Sequence, residues 1–284
     1  MMNQVAPRRS MLFLPGLRAD RYAKALACGP DVVCLDLEDA VAPNLKPQAR
    51  ETVLALLESA DRGQTSLALR INAAGTQAAV EDLQALAACK RAPDMVVLPK
   101  VQGADDLAWL ESMLPEAFAA AEIWAIIETA EGLEAAARIA RASGRLAGLL
   151  FGGADLAAEL GCAMEWEPLL YARSRVVHAA AIAGIAVMDV PCLDVHDDGG
   201  LRRELAAVRR LGYGGKAAIH PRQIAIIHEG FAPGEAELHA ARRLLSAFDA
   251  CTDGVCLLDG RLVELPMVRA ARRVVAAAAD AQLR

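Results

Sequence analysis

Ile123-Trp124-Ala125-Ile126-Ile127, followed at once by Glu128-Thr129, is the stretch on which the fold turns. A short aliphatic run reads as a strand, and an ionised carboxylate at its end costs free energy unless a cation or a donor meets it. Outward from it, runs of the same kind recur at residues 11–14, 31–37, 66–71, 94–99, 123–128, 146–151, 185–189 and 217–220. Between them lie amphipathic stretches at 18–28, 46–59, 78–89, 104–113, 133–141, 168–183 and 197–211, with apolar residues three and four apart. This alternation is the pattern of βα units on a parallel sheet, and eight such units close a (β/α)8 TIM barrel. An open doubly wound sheet alternates too, but the first turn here is Leu14-Pro15-Gly16-Leu17, without a GxGxxG phosphate loop.

After His220 the pattern changes. Phe231-Ala232-Pro233-Gly234 reads as a turn, 235–248 as a helix, and 255–258 and 261–263 as a hairpin around Asp259-Gly260, with a last helix starting near Pro266. The expectation is a catalytic barrel over 1–230 and a C-terminal helical and hairpin segment over 231–284, serving as a lid or an oligomerisation arm, because so short a piece buries little core alone.

Of the 284 residues, 55% are hydrophobic and 23% charged, which excludes a disordered or fibrous chain. A formal charge of −6 with no polybasic run argues against nucleic acid, and 4% aromatics offer no stacking platform for bases. The opening residues lack a secretory pattern and no apolar stretch reaches membrane-spanning length. Seven scattered cysteines form neither CxxC pairs nor a disulfide framework, so they are expected to be reduced in a cytoplasmic protein with no membrane partner.

Barrel chemistry sits at the carboxyl ends of strands. Those ends carry Asp36-Leu37-Glu38-Asp39, Arg70-Ile71-Asn72, Pro99-Lys100, Glu128-Thr129 and Gly152-Gly153-Ala154-Asp155. Two carboxylates on adjacent strand ends, Glu128 and Asp155, suit a hard cation such as Mg²⁺; salt bridges to Arg70 and Lys100 are the structural alternative. Cysteine–histidine spacing for zinc is absent. Gly152-Gly153 admits close backbone approach, and the N–H groups that follow suit a bound carboxylate. Arg70 is either a fork for an oxyanion or a partner for Asp36, Glu38 or Asp39. Lys100 reads as a structural ion pair, and His220 as a substrate contact or a rim cap. His178, His196, His228 and His239 are expected to face solvent.

Seven blocks in order carry a family resemblance: Arg9-Ser10-Met11-Leu12-Phe13-Leu14-Pro15-Gly16, Asp36-Leu37-Glu38-Asp39-Ala40-Val41, Arg70-Ile71-Asn72, Leu98-Pro99-Lys100, Ile127-Glu128-Thr129, Phe151-Gly152-Gly153-Ala154-Asp155-Leu156 and Gly215-Lys216-Ala217-Ala218-Ile219-His220-Pro221. The chain resembles the citrate lyase β subunit-like branch of the HpcH/HpaI aldolase superfamily over nearly its whole length. The resemblance implies a Mg²⁺-dependent barrel lyase that makes or breaks a carbon–carbon bond between an acyl thioester and a 2-oxo acid. It implies Glu128 and Asp155 as metal ligands, Arg70 facing the thioester oxygen and the substrate, and Glu38 and Asp39 around metal-held waters. Gly153, Ala154 and Asp155 then bind substrate. A coenzyme A thioester needs phosphate-binding cations near the mouth, for which Arg9, Arg18, Arg21 and Lys24 are the candidates.

Family lyases often carry a C-terminal aspartate, in a pattern similar to Gly-x-x-Ile-Asp-x-Pro, that reaches a neighbouring subunit's site. The matching stretch is Gly260-Arg261-Leu262-Val263-Glu264-Leu265-Pro266, so Glu264 stands in for it, with the carboxylate moved by about an ångström. A homotrimer is implied by the same resemblance. Three alternatives stand beside a free acyl-CoA lyase: a citrate lyase β subunit acting on citryl-acyl carrier protein, a malyl-CoA-type thioesterase, and a non-enzymatic scaffold subunit. The choice among glyoxylate, pyruvate and oxaloacetate is expected to depend on pocket volume near Val187, Met188 and Pro191.

Overall fold

The computed structural model describes residues 8–251 and 256–282. The chain runs β1 (Ser10–Pro15), α1 (Tyr22–Leu26), β2 (Val32–Asp36), α2 (Lys46–Ser59), β3 (Ser66–Arg70), α3 (Gln77–Ala87), β4 (Met95–Leu98), α4 (Ala104–Met113), β5 (Glu122–Ile127) and α5 (Ala130–Ile139). It continues through β6 (Leu146–Phe151), α6 (Gly153–Leu160), α7 (Trp166–Ala183), β7 (Ala186–Asp189), α8 (Asp198–Leu211), β8 (Gly215–Ala218) and α9 (Gln223–Phe231). The eight strands are all parallel and form a closed barrel, β8 returning to pair with β1. The expected TIM barrel is therefore the fold.

Side chains alternate across each strand. The inward set, including Met11, Val32, Cys34, Met95, Val97, Trp124, Ile126, Leu150 and Met188, packs as one buried cluster that fills the barrel. Gly148 opposite Trp124 leaves the space the indole occupies, since a Cβ there would lie 2.7 Å from the ring. Helix starts follow their capping residues: the Thr129 hydroxyl accepts from Gly132 N–H at 3.0 Å ahead of α5, and the Asp197 carboxylate from Gly200 N–H at 2.7 Å ahead of α8.

Three local expectations are corrected. The stretch 18–28 is not one helix: a 3₁₀ segment occupies Gly16–Arg21, with Arg18 outside helical geometry, and only Tyr22–Leu26 is α-helical. Two helices that the periodic stretches did not include, α6 and α9, follow β6 and β8. The last barrel strand lies at Gly215–Ala218, not 217–220, because the charge of Lys216 is taken inside. Its Nζ is fully buried and meets Asp189 at 2.7 Å, the Val190 carbonyl at 2.8 Å and Glu204 at 2.9 Å. His220 consequently sits in the turn beyond the strand, where its Nδ1 accepts from Arg222 N–H. His228 is half-buried and bonded to Ser10 Oγ at 2.7 Å, whereas His178, His196 and His239 are exposed.

The chain divides into two compact units, one spanning Arg8–His228 and the other beginning at Glu229. The second contains α10 (Glu235–Asp249), the antiparallel pair β9 (Cys256–Leu258) and β10 (Arg261–Val263), and α11 (Leu265–Gln282). Its hairpin turns on Asp259 (φ 51°) and Gly260 (φ 74°), two consecutive left-handed residues that suit the strand twist. Cys256, Val263 and Val268 form its core with Leu244, Leu245 and Phe248 against them. Val255 lies outside the described residues. No helix among the described residues is long and apolar enough to cross a membrane.

Candidate active site

Asp36 ends β2 and Arg70 ends β3, and the two are register partners. The Arg70 guanidinium donates from Nε to Asp36 Oδ1 at 2.7 Å and from Nη2 to Oδ2 at 2.5 Å, while Nη1 lies 2.9 Å from Glu38 Oε2. It also sits 5.1 Å from the centre of the Phe13 ring. Burial works against its charge, but the hydrogen bonds and charge of Asp36 and the charge of Glu38 raise its pKa overall. Of the two sequence readings of Arg70, the pairing with Asp36 and Glu38 is present in the geometry, and the guanidinium also lines the cavity at the mouth.

Glu38 and Glu128 are buried, whereas Asp39 and Asp155 keep exposed side chains at 58% and 40%. Lys100 ties the four together from an unusual backbone position, φ 53°. Its N–H donates to Glu128 Oε1 at 2.8 Å, and its ammonium contacts Glu38, Asp39 at 3.1 Å and Asp155 at 3.4 Å. The strained conformation costs about 1–3 kcal/mol and is what lets one residue offer its amide to one carboxylate and its side chain to three. Burial lowers the affinity of Lys100 for its proton, and the hydrogen bond and charge of Glu38 more than restore it.

Among the described residues no side-chain cation forms an ion pair with Glu128, whose Oε1 takes the Lys100 N–H. Burial, then the nearby charges of Glu38 and Asp155, push its carboxyl up to about 7. Burial likewise raises Glu38, against the opposing pull of Arg70 and Lys100. Gly152 is required here: a Cβ would overlap Cβ and Oε2 of Glu128 and stand 3.0 Å from Ile126 Cγ2. The next residue opens α6, whose first-turn N–H groups, those of Gly153, Ala154 and Asp155, point away from the helix without intrahelical partners.

Glu128, Asp155, Asp36, Asp39, Arg70, Gly152 and Ala154 all line one cavity of about 300 Å³. No group of three or more His, Cys, Asp or Glu side chains is placed to hold a metal among the described residues. Glu128, Asp155 and Asp39 share the cavity lining, and Glu38 is held next to it by Arg70 and Lys100. A hard cation takes oxygen donors and keeps waters, and a buried carboxyl with a raised pKa is a group whose ionised form awaits a positive charge.

The remaining expected residues separate by place. Arg18, Arg21 and Lys24 line a second cavity of about 340 Å³, which shares Phe13, Pro15 and Ile219 with the first. Arg9 is not brought to the mouth. It precedes β1, at the amino end of the barrel, and its N–H donates to Asp31 at 2.6 Å, so the length of the strand separates it from Pro15. Glu264 lies in the C-terminal unit, exposed, with its carbonyl accepting from Met267 N–H at the start of α11. Neither Val187 nor Met188 lines the cavity: Met188 belongs to the packed barrel interior, and the wall is made instead by Val190, Pro191 and Leu193.

Sequence reading passed over Lys46. Its ammonium donates to the carbonyls of Leu37 at 2.8 Å and Glu38 at 2.9 Å and to Asn72 Oδ1 at 2.6 Å, holding the loop that carries Glu38. A lysine in the first turn of a helix, where the dipole disfavours it, was the available signal.

Residues 9–221, within the barrel unit, match the model of the HpcH/HpaI aldolase/citrate lyase family. The chain belongs to this family. Over 286 residues it is 34% identical to citrate lyase subunit beta of Leuconostoc mesenteroides subsp. cremoris, covering 96% of this chain and 94% of that protein. Over 283 residues it is 35% identical to (3S)-malyl-CoA thioesterase of Cereibacter sphaeroides, covering 98% and 97%. Among solved structures, protein CitE from Mycobacterium tuberculosis, in complex with magnesium, acetoacetate and coenzyme A, superposes with a TM-score of 0.83 at 32% identity, over 96% of this chain and 99% of that one.

Proposed function

We propose that this protein is a Mg²⁺-dependent carbon–carbon lyase that cleaves a short β-hydroxyacyl-CoA of the malyl, citramalyl or citryl type to acetyl-CoA and a 2-oxo acid. The observation that carries the reading is the buried Glu128 carboxylate beside Asp155 and the fixed Arg70 guanidinium in one cavity. Relatives named as a citrate lyase subunit and a malyl-CoA thioesterase, and a related structure holding magnesium and coenzyme A, support it.

Glu128 and Asp155 would hold the cation, with Glu38 and Asp39 beside its waters. When bound, Mg²⁺ supplies a Lewis-acid charge for the oxygens of the oxo-acid half. Cleavage breaks the bond between the hydroxyl-bearing carbon and the thioester's α-carbon. The hydroxyl proton leaves to a base, a carbonyl forms, and the electron pair passes to the thioester half as an enolate. Arg70, held by Asp36 and Glu38, is preorganised to face that developing negative oxygen, and such placement costs no reorganisation during reaction. First-turn N–H groups of Gly153, Ala154 and Asp155 would take the oxo acid's carboxylate. Arg18, Arg21 and Lys24 would meet the phosphates of coenzyme A from the adjoining cavity. Glu264 would move the proton between hydroxyl and methyl, delivered by the C-terminal unit of a neighbouring copy in a homotrimer. The reading places the enzyme in the cytoplasm.

The test is mass-spectrometric assay of malyl-, citramalyl- and citryl-CoA, and of citryl-acyl carrier protein, with Mg²⁺ or EDTA, alongside Glu128→Ala and Glu264→Asp. Mg²⁺-dependent release of acetyl-CoA and one oxo acid, lost in Glu128→Ala, is expected. Release of free coenzyme A with an intact hydroxy acid marks a thioesterase instead; turnover of the carrier-protein substrate alone marks a citrate lyase β subunit. No turnover of any thioester, even by Glu264→Asp, sinks the enzymatic reading.

A further inference from the structure

We infer that Ile126, Leu150 and Val190 form the subsite for the 2-substituent of the oxo acid, and that they select a small uncharged group, as in a 2-oxo monocarboxylate such as pyruvate, against a dicarboxylate. The inference rests on the lyase reading only in placing the oxo acid beside Glu128 and Asp155.

Ile126 and Leu150 are register partners on β5 and β6. They lie two residues before Glu128 and Gly152, hence on the same inward face and directly beneath them. Contact distances agree, since a Cβ on Gly152 would meet Ile126 Cγ2 at 3.0 Å and one on Gly153 would meet Val190 Cγ1 at 3.4 Å. The three side chains are 2%, 3% and 5% exposed, so they are a packed aliphatic wall with no freedom to withdraw. Among the described residues that line the cavity, every side chain outside the charged edge of Asp36, Asp39, Arg70, Glu128 and Asp155 is apolar.

The charges of the cations at that edge are already balanced by neighbouring carboxylates. All three guanidinium nitrogens of Arg70 face Asp36 or Glu38, and the Lys100 ammonium faces Glu38, Asp39 and Asp155. The first carboxylate of an oxo acid has the cation and the start of α6. A second, on a carboxymethyl substituent, would enter an aliphatic wall with neither donor nor counter-charge, and an unpaired buried charge is strongly disfavoured. A methyl group fills the same space favourably.

The experiment is calorimetric titration of the full-length protein, with Mg²⁺ present, by pyruvate, 2-oxobutanoate and freshly dissolved oxaloacetate, followed by the thioester assay on the same preparation. Pyruvate is expected to bind at least about tenfold more tightly than oxaloacetate. Leu150→Ala, which opens the wall, should move the preference from pyruvate toward 2-oxobutanoate by about tenfold, the scale on which one methylene is discriminated in an apolar pocket. Val190→Ala repeats that test at the rim should the barrel variant fail to fold, as judged by circular dichroism. Oxaloacetate binding as tightly as pyruvate, no binding of any oxo acid, or an unchanged ranking in the folded variants overturns the assignment. Selective binding without cleavage of any thioester leaves the subsite standing and overturns the lyase reading. Faster cleavage of citryl- than of citramalyl-CoA does the reverse.

Discussion

Replacing Glu128 by Gln should stabilise the metal-free protein while removing its response to Mg²⁺. The Glu128 carboxyl titrates near 4.5 when solvated and is pushed up to about 7 in the fold, so the folded state holds its proton more tightly than the unfolded state. Below pH 4.5 both states are protonated and the group is neutral to stability. Between pH 4.5 and about 7 the unfolded chain ionises first, and stability falls as pH rises. Above pH 7 the full penalty is present, about 3 kcal/mol from the difference between the two values at about 1.4 kcal/mol each. Gln carries no charge, keeps an oxygen for the Lys100 N–H now 2.8 Å from Oε1, and offers an amide donor toward Glu38 and Asp155. The assay is thermal or urea unfolding at pH 5 and pH 8 in EDTA, then at pH 8 with saturating Mg²⁺. The variant should melt about 6–12 °C above the parent at pH 8 in EDTA, at ~2–4 °C per kcal/mol, and differ little at pH 5. Mg²⁺ should then raise the parent, by about 2.7 kcal/mol at a hundred times the dissociation constant, and leave the variant nearly unmoved. A Gln variant less stable than the parent at pH 8 in EDTA, or one that Mg²⁺ stabilises equally, would refute the view that Glu128 is held in a strained state for a cation.

Three more outcomes follow from the geometry. Lys216→Met removes the cation that Asp189 and Glu204 share in the interior and should cost about 3–5 kcal/mol in urea unfolding, because a buried carboxylate loses its counter-charge; since Lys216 also fixes the Val190 carbonyl, oxo-acid binding should weaken as well. Gly152→Ala pushes a methyl group into Glu128 and should cost about 1–3 kcal/mol of stability. It should also weaken Mg²⁺ binding by about 10–100-fold, measured by calorimetry. Arg18→Ala combined with Lys24→Ala should raise KM for a coenzyme A thioester with kcat unchanged, an effect that shrinks as salt is added.

The barrel was legible because burial on both faces of a parallel strand leaves long aliphatic runs, and helices between them leave a three-to-four spacing. The site was legible in kind, since ionisable residues that end such runs stand out against them, as Glu128 does after Ile127. What misled was local. Lys216 fell outside the expected last strand at 217–220, since a pattern rule has no means of knowing that Asp189 and Glu204 neutralise it. Arg9 looked like one more cation near the first strand, but a strand has two ends, and Arg9 lies at the one away from the mouth. Lys46 looked like an ordinary helix residue until the carbonyls of Leu37 and Glu38 turned toward it.

The order of runs and turns along the chain, with the chemistry of the residues ending each run, determined that a closed parallel barrel would carry acidic and basic groups at one mouth. Both properties are local or periodic, so they are written in consecutive residues. Tertiary structure alone decided who meets whom: that Arg70 is forked on Asp36 and still lines the cavity, that Lys100 reaches three carboxylates from a left-handed backbone, and that the wall under Glu128 is Ile126, Leu150 and Val190 rather than Val187 and Met188. These facts depend on barrel closure and strand register, which bring together residues dozens of positions apart. The pKa of Glu128 depends on them too, for it is the burial and the neighbours that shift the group, and neither exists until the chain has folded.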